Sequence, residues 1–162
     1  MGHFATGVTV VTSVAADGRP VGTTANAVSS LSLDPPLLLV CFDRSSQTLK
    51  AVRAHGAFAV NVLAAPQREL SANFARRGLA AAWDGVRHRP GLTSSPRLHG
   101  VLATLECTVE HQFPGGDHEI VIGRVRAAET NGAETDGTEP APLLFWRGRY
   151  AELGPAPAAA CP

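Results

Sequence analysis

Chemistry in this chain starts at Gly22-Thr23-Thr24-Ala25-Asn26-Ala27-Val28-Ser29-Ser30. Hydroxyls and one amide stand close together ahead of Leu31-Ser32-Leu33-Asp34-Pro35-Pro36, a run of small and apolar residues that reads as a buried strand. Such a strand ordinarily alternates apolar with polar, or is apolar throughout. Polar groups in that setting need hydrogen-bond partners. Either neighbouring backbone supplies them or a ligand does, and a flat heterocycle with a polar edge has the right chemistry. For any one residue the backbone is the better answer. For the whole cluster we read a ligand.

Two further segments carry polar groups in useful order. Asp43-Arg44-Ser45-Ser46-Gln47-Thr48 reads as a helix start. Capping by itself explains a serine there. The same exposed N–H groups, with hydroxyls and Arg44 beside them, also suit a phosphate. Gly115-Gly116-Asp117-His118-Glu119-Ile120 reads as a hairpin loop with a surface histidine. At the mouth of a site, His118 would serve as hydrogen-bond donor or proton source. The six histidines lack metal-ligand spacing. The chain has no G-x-G-x-x-G after a strand, no phosphate-binding G-x-x-x-x-G-K-[ST] and no G-x-S-x-G elbow.

The elements that must position these residues are mostly strands. Val8–Val14 is β-branched and alternating, Asp17-Gly18 marks a turn, and a second strand runs from Pro20 toward Ala27. After Pro35-Pro36, Leu37–Phe42 reads as a fully buried strand. A helix begins near Ser46 and ends at Gly56. Phe58–Leu63 is a strand, and Gln67–Arg77 is helical with Leu70 and Phe74 on one face. Residues 78–99 read as loop anchored by Trp83. Val101–Phe113 and Glu119–Ala128 are two long strands, residues 129–142 a polar loop, and Pro142–Tyr150 a final strand pair. Few crossover helices among many strands predict a mostly antiparallel β-barrel with peripheral helices.

Composition narrows the class. At 162 residues the chain makes one domain, here 1–153, with a Pro/Ala-rich tail over 154–162 expected to be disordered. Hydrophobic residues at 44% against 17% charged describe a globular protein. A net charge of +0 argues against nucleic acid as partner. No apolar run reaches membrane-spanning length, and Gly2-His3-Phe4 after Met1 is no secretory signal. Cys41, Cys107 and Cys161 are odd in number and form no C-x-x-C, so reduced thiols and a cytoplasmic location are expected.

Taken in order, these segments resemble the flavin reductase-like domain family, the reductase components of two-component flavin monooxygenases built on a flavin-binding split barrel. The resemblance rests on Phe4–Thr12, Thr24–Pro36, Asp43–Thr48, Phe58–Leu63, Gly116-Asp117-His118 and Pro142–Tyr150, and it reaches about Leu153. It implies a Greek-key-like antiparallel barrel that binds FMN or FAD. Thr24, Ala25, Asn26, Ala27 and Ser30 would lie along the isoalloxazine, with Cys41, Phe42 and Asp43 bordering ring and ribityl chain. Ser46, Gln47 and Thr48 would hold phosphate, and Asn73 and Phe74 would close the far side, near an adenine if FAD binds. His118 with Phe145, Trp146, Arg147 and Gly148 would meet NADH or NADPH. The implied reaction is hydride transfer from nicotinamide C4 to flavin N5, with reduced flavin leaving for a separate monooxygenase. A homodimer is implied as well. Family members usually carry a longer helix ahead of the Phe-Ala-Thr-Gly motif, whereas Phe4 here stands three residues after Met1. A flavin-binding electron carrier or redox-responsive module on the same barrel stays open, as does a related barrel holding haem.

Overall fold

The second strand of the chain shows how the fold is layered. In Thr9-Val10-Val11-Thr12-Ser13-Val14, Val10 and Val11 are both fully buried. Neighbours on a strand point to opposite faces, so this strand has core on both sides. The computed structural model describes residues 1–76, 80–131 and 140–153. Its strands are β1 (Thr6–Gly7), β2 (Thr9–Val14), β3 (Pro20–Ala25), β4 (Val28–Leu33) and β5 (Pro36–Asp43). Helix α1 (Gln47–His55), β6 (Ala57–Val62) and α2 (Arg68–Ala75) follow. Then come β7 (His88–Pro90), β8 (Pro96–Leu98), β9 (Ala103–Gly115), β10 (His118–Thr130), β11 (Leu144–Trp146) and β12 (Arg149–Ala151).

Seven strands form one antiparallel sheet in the order β3-β2-β6-β9-β10-β5-β4. Its two end strands, β3 and β4, are consecutive in the chain, and only Asn26 and Ala27 join them. Two extended residues span roughly 7 Å, so the sheet must curl until its ends meet. The result is the mostly β, split antiparallel barrel that the segment order implies. A smaller sheet, β1-β11-β12, lies against the junction. β7 and β8 pair as a separate hairpin.

The barrel interior holds Val11, Val40, Phe42, Phe58, Val60 and Val121 around Leu49 and Val52 of α1. A second core, on the other face of β2, gathers Val10, Leu63, Phe74, Leu98, Val101 and Leu143. Ser46 caps α1, accepting the Leu49 N–H at 3.3 Å. Gly56, at φ 73°, ends the helix and sends its N–H to the Val52 carbonyl. Arg53 on α1 donates to Glu119 on β10 from Nε at 3.1 Å and again from its terminal nitrogen, which holds the helix in the barrel's end.

Several expectations need correction. The strand from Pro20 stops at Ala25, and Val28–Leu33 is a separate, largely exposed strand rather than a buried one. It lies at the sheet's end, and among the described residues its outer edge pairs with no further strand. Residues 78–99 are not plain loop: they include a 3₁₀ turn at Ala80–Trp83 and the β7–β8 hairpin. Trp83 does anchor there, edge-on to Phe74 at 4.9 Å. β10 runs on to Thr130, paired with Ala103, where loop was expected. The tail at 154–162, with Cys161, lies outside the described residues, as does most of the loop expected over 129–142.

Gly123 faces the barrel core at a register shift between β9 and β10. A Cβ there would fall 2.5 Å from a Phe58 ring carbon and 2.8 Å from the Cys107 Cβ. Overpacking of this kind costs about 1–3 kcal/mol. We expect Gly123→Ala to lower the thermal midpoint by several degrees in a melt followed by circular dichroism. An unchanged midpoint would contradict this packing.

Candidate functional site

The site begins where the barrel closes. Asn26 and Ala27 are exposed and belong to neither strand they connect. The Ala27 carbonyl accepts the Cys41 N–H at 3.0 Å. The Asn26 amide donates to the Thr6 hydroxyl at 3.3 Å, and its backbone groups have no backbone partner among the described residues. A cavity of about 800 Å³ opens at this junction, with Asn26, Ala27, Leu39, Cys41, Phe145 and Gly148 among its walls. Small-ligand sites run from about 300 to 1,000 Å³. The lining is mainly apolar, with polar backbone at one edge.

The hairpin β11–β12 supplies the opposite wall. Arg147 (φ 50°) and Gly148 (φ 78°) both adopt left-handed backbone between Trp146 and Arg149, the pattern of a type I′ turn. Phe145 pairs with Thr6 across to β1. Trp146 donates its indole N–H to the His3 carbonyl at 3.2 Å, and the Arg147 guanidinium stacks over the Trp146 ring. Neither Trp146 nor Arg147 lines the cavity. On a strand, Phe145 and Trp146 must face opposite ways.

A small cavity of about 180 Å³ continues from Asn26 along Thr24, Ser71, Ala75 and Phe145. Thr24 donates its hydroxyl to the Ser71 carbonyl at 2.6 Å, and Tyr150 donates to the Ser71 hydroxyl at 2.9 Å. These bonds fasten α2 to β3 and to the hairpin. Beyond Ala75 lies a cleft of about 320 Å³, walled by Asp43, Ser46, Gln47, Thr48, Phe74 and Arg76 among others. The first N–H groups of α1 have no intrahelical partner. Ser46 uses an oxygen lone pair for the cap, so its own O–H proton stays available to a ligand. Gly22 forms the cleft's floor against Phe74, with a Cβ position 2.9 Å from the Phe74 ring.

His118 stands at the tip of the β9–β10 hairpin, directly opposite Asp43 on β5. Its Nδ1 lies 2.7 Å from the Asp117 carboxylate, and that hydrogen bond holds the Asp117 carboxyl below its ordinary range. The Asp117 carbonyl accepts the Arg44 N–H at 3.1 Å, tying the hairpin tip to the end of β5. His118 shares a sheet face with Cys41 and Asp43, beside the cleft that Asp43 lines, and lines neither cleft itself.

The structure thus gathers Asn26, Ala27, Cys41, Phe145 and Gly148 in one cavity and Asp43, Ser46, Gln47, Thr48 and Phe74 in the next, with Thr24 between. It leaves others apart. Ala25 packs toward the barrel core, and Phe42 is buried inside it. Ser30 is exposed on β4. Asn73 faces a different cleft, between α2 and residues 84–100. Arg44 does not line the cleft at the start of α1, whereas Arg76 does. Sequence reading missed Arg76, Thr6 and Tyr150. The basic pair Arg76-Arg77 just past a helix was the available signal for the first. Among the described residues no cluster of metal-ligating side chains forms, and no helix is long and apolar enough to cross a membrane.

Cys41 is half-buried in the cavity, whereas Cys107 is buried and its thiol is pushed up to about 12 by desolvation and the nearby Glu106 charge. We expect a maleimide near pH 8 to label Cys41 in the folded protein, to spare Cys107, and to be slowed at Cys41 by added flavin. Labelling of both cysteines at one rate, read by peptide mass spectrometry, would contradict these placements.

Comparison with known proteins bears on this geometry. The pattern of the flavin reductase like domain matches residues 1–154. The reductase subunit HsaB of a flavin-dependent monooxygenase from Mycobacterium tuberculosis is 39% identical over 155 residues, 96% of this chain and 80% of that protein. A flavin reductase (NADH) from Kitasatospora aureofaciens is 43% identical over 153 residues, covering 93% and 77% of the two chains. The Streptomyces globisporus NADH:FAD oxidoreductase SgcE6, solved with NAD and FAD fragments, superposes with a TM-score of 0.86 at 35% identity, covering 96% of this chain and 89% of that one.

Proposed function

The chain belongs to the flavin reductase-like domain family, and from that premise we propose that it is an NAD(P)H:flavin oxidoreductase serving a separate monooxygenase. The observation that carries the reading is the path of β5. Cys41 stands in the large apolar cavity, and two residues on, Asp43 stands in the cleft at the start of α1. A ring-plus-phosphate ligand needs those two environments at that separation.

The residues present fit a flavin. Asn26 offers backbone polar groups that no strand ladder uses, at the edge of an apolar cavity wide enough for a three-ring system. A bound FMN or FAD would supply the hydride acceptor, with NADH or NADPH as the hydride donor. The protein's share is to orient and to exclude water. Asn26 and Ala27 hold the polar edge, and Cys41 and Leu39 form the apolar floor. The Ser46 and Thr48 hydroxyls and the Gln47 N–H hold phosphate, with Arg76 supplying charge. Phe145 and Gly148 wall the space left for the nicotinamide. His118, steadied by Asp117, guards the rim where that nucleotide enters.

A homodimer working in the cytoplasm completes the reading. Leu39 and Cys41 on β5 face the same side as Ile120 and Ile122 on β10, and Phe113 on β9 is 48% exposed. This apolar sheet face borders the large cavity, so a second subunit would cover both.

The test is NADH and NADPH oxidation with FMN, FAD or no flavin added. Turnover that depends on added flavin is the expected result; none with either flavin would overturn the reading. His118→Ala should cut turnover while leaving flavin affinity nearly unchanged, and equal loss of both would remove its role at the nicotinamide. Ser46→Ala with Thr48→Ala should weaken flavin binding by about 1 kcal/mol per hydrogen bond. Unchanged affinity in that double variant would remove the phosphate assignment.

A further inference from the structure

We propose that Tyr150 is a positioning residue of this reaction, acting through Ser71 to set how far the β11–β12 hairpin stands from the barrel mouth; this rests on the flavin reductase reading above. Among the described residues, the small sheet β1-β11-β12 shares no strand pairing with the seven-stranded sheet. Backbone bonds grip it at one end. There the Val8 N–H donates to the Leu143 carbonyl and the Leu143 N–H to the Leu63 carbonyl, each at 3.0 Å. From that end β11 runs out along the large cavity, where Phe145 and Gly148 form part of the wall. A hairpin held only at its base can swing, and its far end decides the width of the gap.

Away from the base, two side-chain hydrogen bonds tie the small sheet to the rest of the protein among the described residues. One is the exposed bond from Asn26 to Thr6. The other is made by Tyr150. This residue pairs with Phe145 across the hairpin, the two rings edge-on with centroids 5.7 Å apart. Its hydroxyl donates to the Ser71 hydroxyl at 2.9 Å, and the Arg68 guanidinium lies over its ring at 5.2 Å. Arg68 and Ser71 stand three residues apart on α2, so one face of the helix grips the tyrosine at ring and tip. Ser71 is fully buried, and its carbonyl accepts the Thr24 hydroxyl at 2.6 Å. The brace therefore runs from the hairpin through α2 to β3, which leads into Asn26. It links the wall read as the nicotinamide's to the junction read as the flavin ring's. Tyr150 lines the small cavity and not the large one, so it acts through Phe145 and Ser71 rather than by contact with the reacting groups. Transfer between two stacked rings is steep in distance, and a misplacement of about 1 Å can cost about a hundredfold. A phenol that fixes this gap bears on the rate more than on the fold.

The experiment compares the wild type, Tyr150→Phe, Ser71→Ala and the double variant. Amide hydrogen exchange on the flavin-free protein reads the brace. Each single variant should speed exchange in β11 and β12 by about fivefold to tenfold, the scale of one hydrogen bond, and leave β6 at the wild-type rate. Rapid mixing with NADH at saturating flavin reads what the brace does. The rate constant for flavin reduction should fall about tenfold in each single variant, with the apparent affinity for NADH moved less than about twofold. The double variant should be no slower than either single one, because both substitutions remove the same bond. Faster exchange with an unchanged reduction rate would make the bond structural only and overturn the proposal. Slower reduction with exchange unchanged, or losses that multiply in the double variant, would also overturn it. If the wild type oxidises no NADH with either flavin, the reductase reading itself falls, an outcome seen before any substitution is made.

Discussion

The two-residue link Asn26–Ala27 is the constraint on which the rest depends. It joins the end strands of a seven-stranded sheet, so the sheet closes on itself or the chain cannot pass. Closure is incomplete, because a link that short cannot also pair its own backbone in both ladders. The polar groups left over at Asn26 sit on an apolar cavity. Fold and binding site therefore have one cause. The barrel is split where the chain crosses, and in the proposed reading the split is where a flat ring with a polar edge would find partners.

In the same reading, the seat for the ligand's phosphate end depends on α1. Its apolar side, Leu49 and Val52, plugs the barrel core, and its Arg53 is tied to Glu119 on β10. Glu119 is nearly buried while Arg53 is half-exposed. Removing the arginine would strand a buried carboxylate, a costlier change than losing a surface pair. Those contacts aim the helix's first turn at the cleft beside Asp43. β5 would then set the spacing between ring and phosphate, because its outward residues Leu39, Cys41 and Asp43 run from one cavity to the next.

Much of this was legible beforehand, for identifiable reasons. Val8–Val14, Leu37–Phe42 and Phe58–Leu63 read as strands because core on both faces demands unbroken apolar and β-branched sequence. Ser46 and Gly56 bracket α1 through local capping rules that need no tertiary information. Facing was harder. Blocks such as Cys41-Phe42-Asp43 or Phe145-Trp146-Arg147 match a family motif as a unit, yet strand alternation sends their members to opposite sides. Phe42 therefore lies in the core, and Trp146 turns to His3. Arg76 was missed because its place follows from how α2 packs on β3, through Thr24 and Ser71. The exposure of β4 was missed because only the strand order reveals a sheet's end.

The most direct test of the account is a crystal structure of the protein with FAD bound. The account predicts the isoalloxazine at the Asn26–Ala27 junction beside Cys41, and phosphate on the first turn of α1 at Ser46–Thr48. A ring seated elsewhere, or a phosphate away from α1, would contradict it.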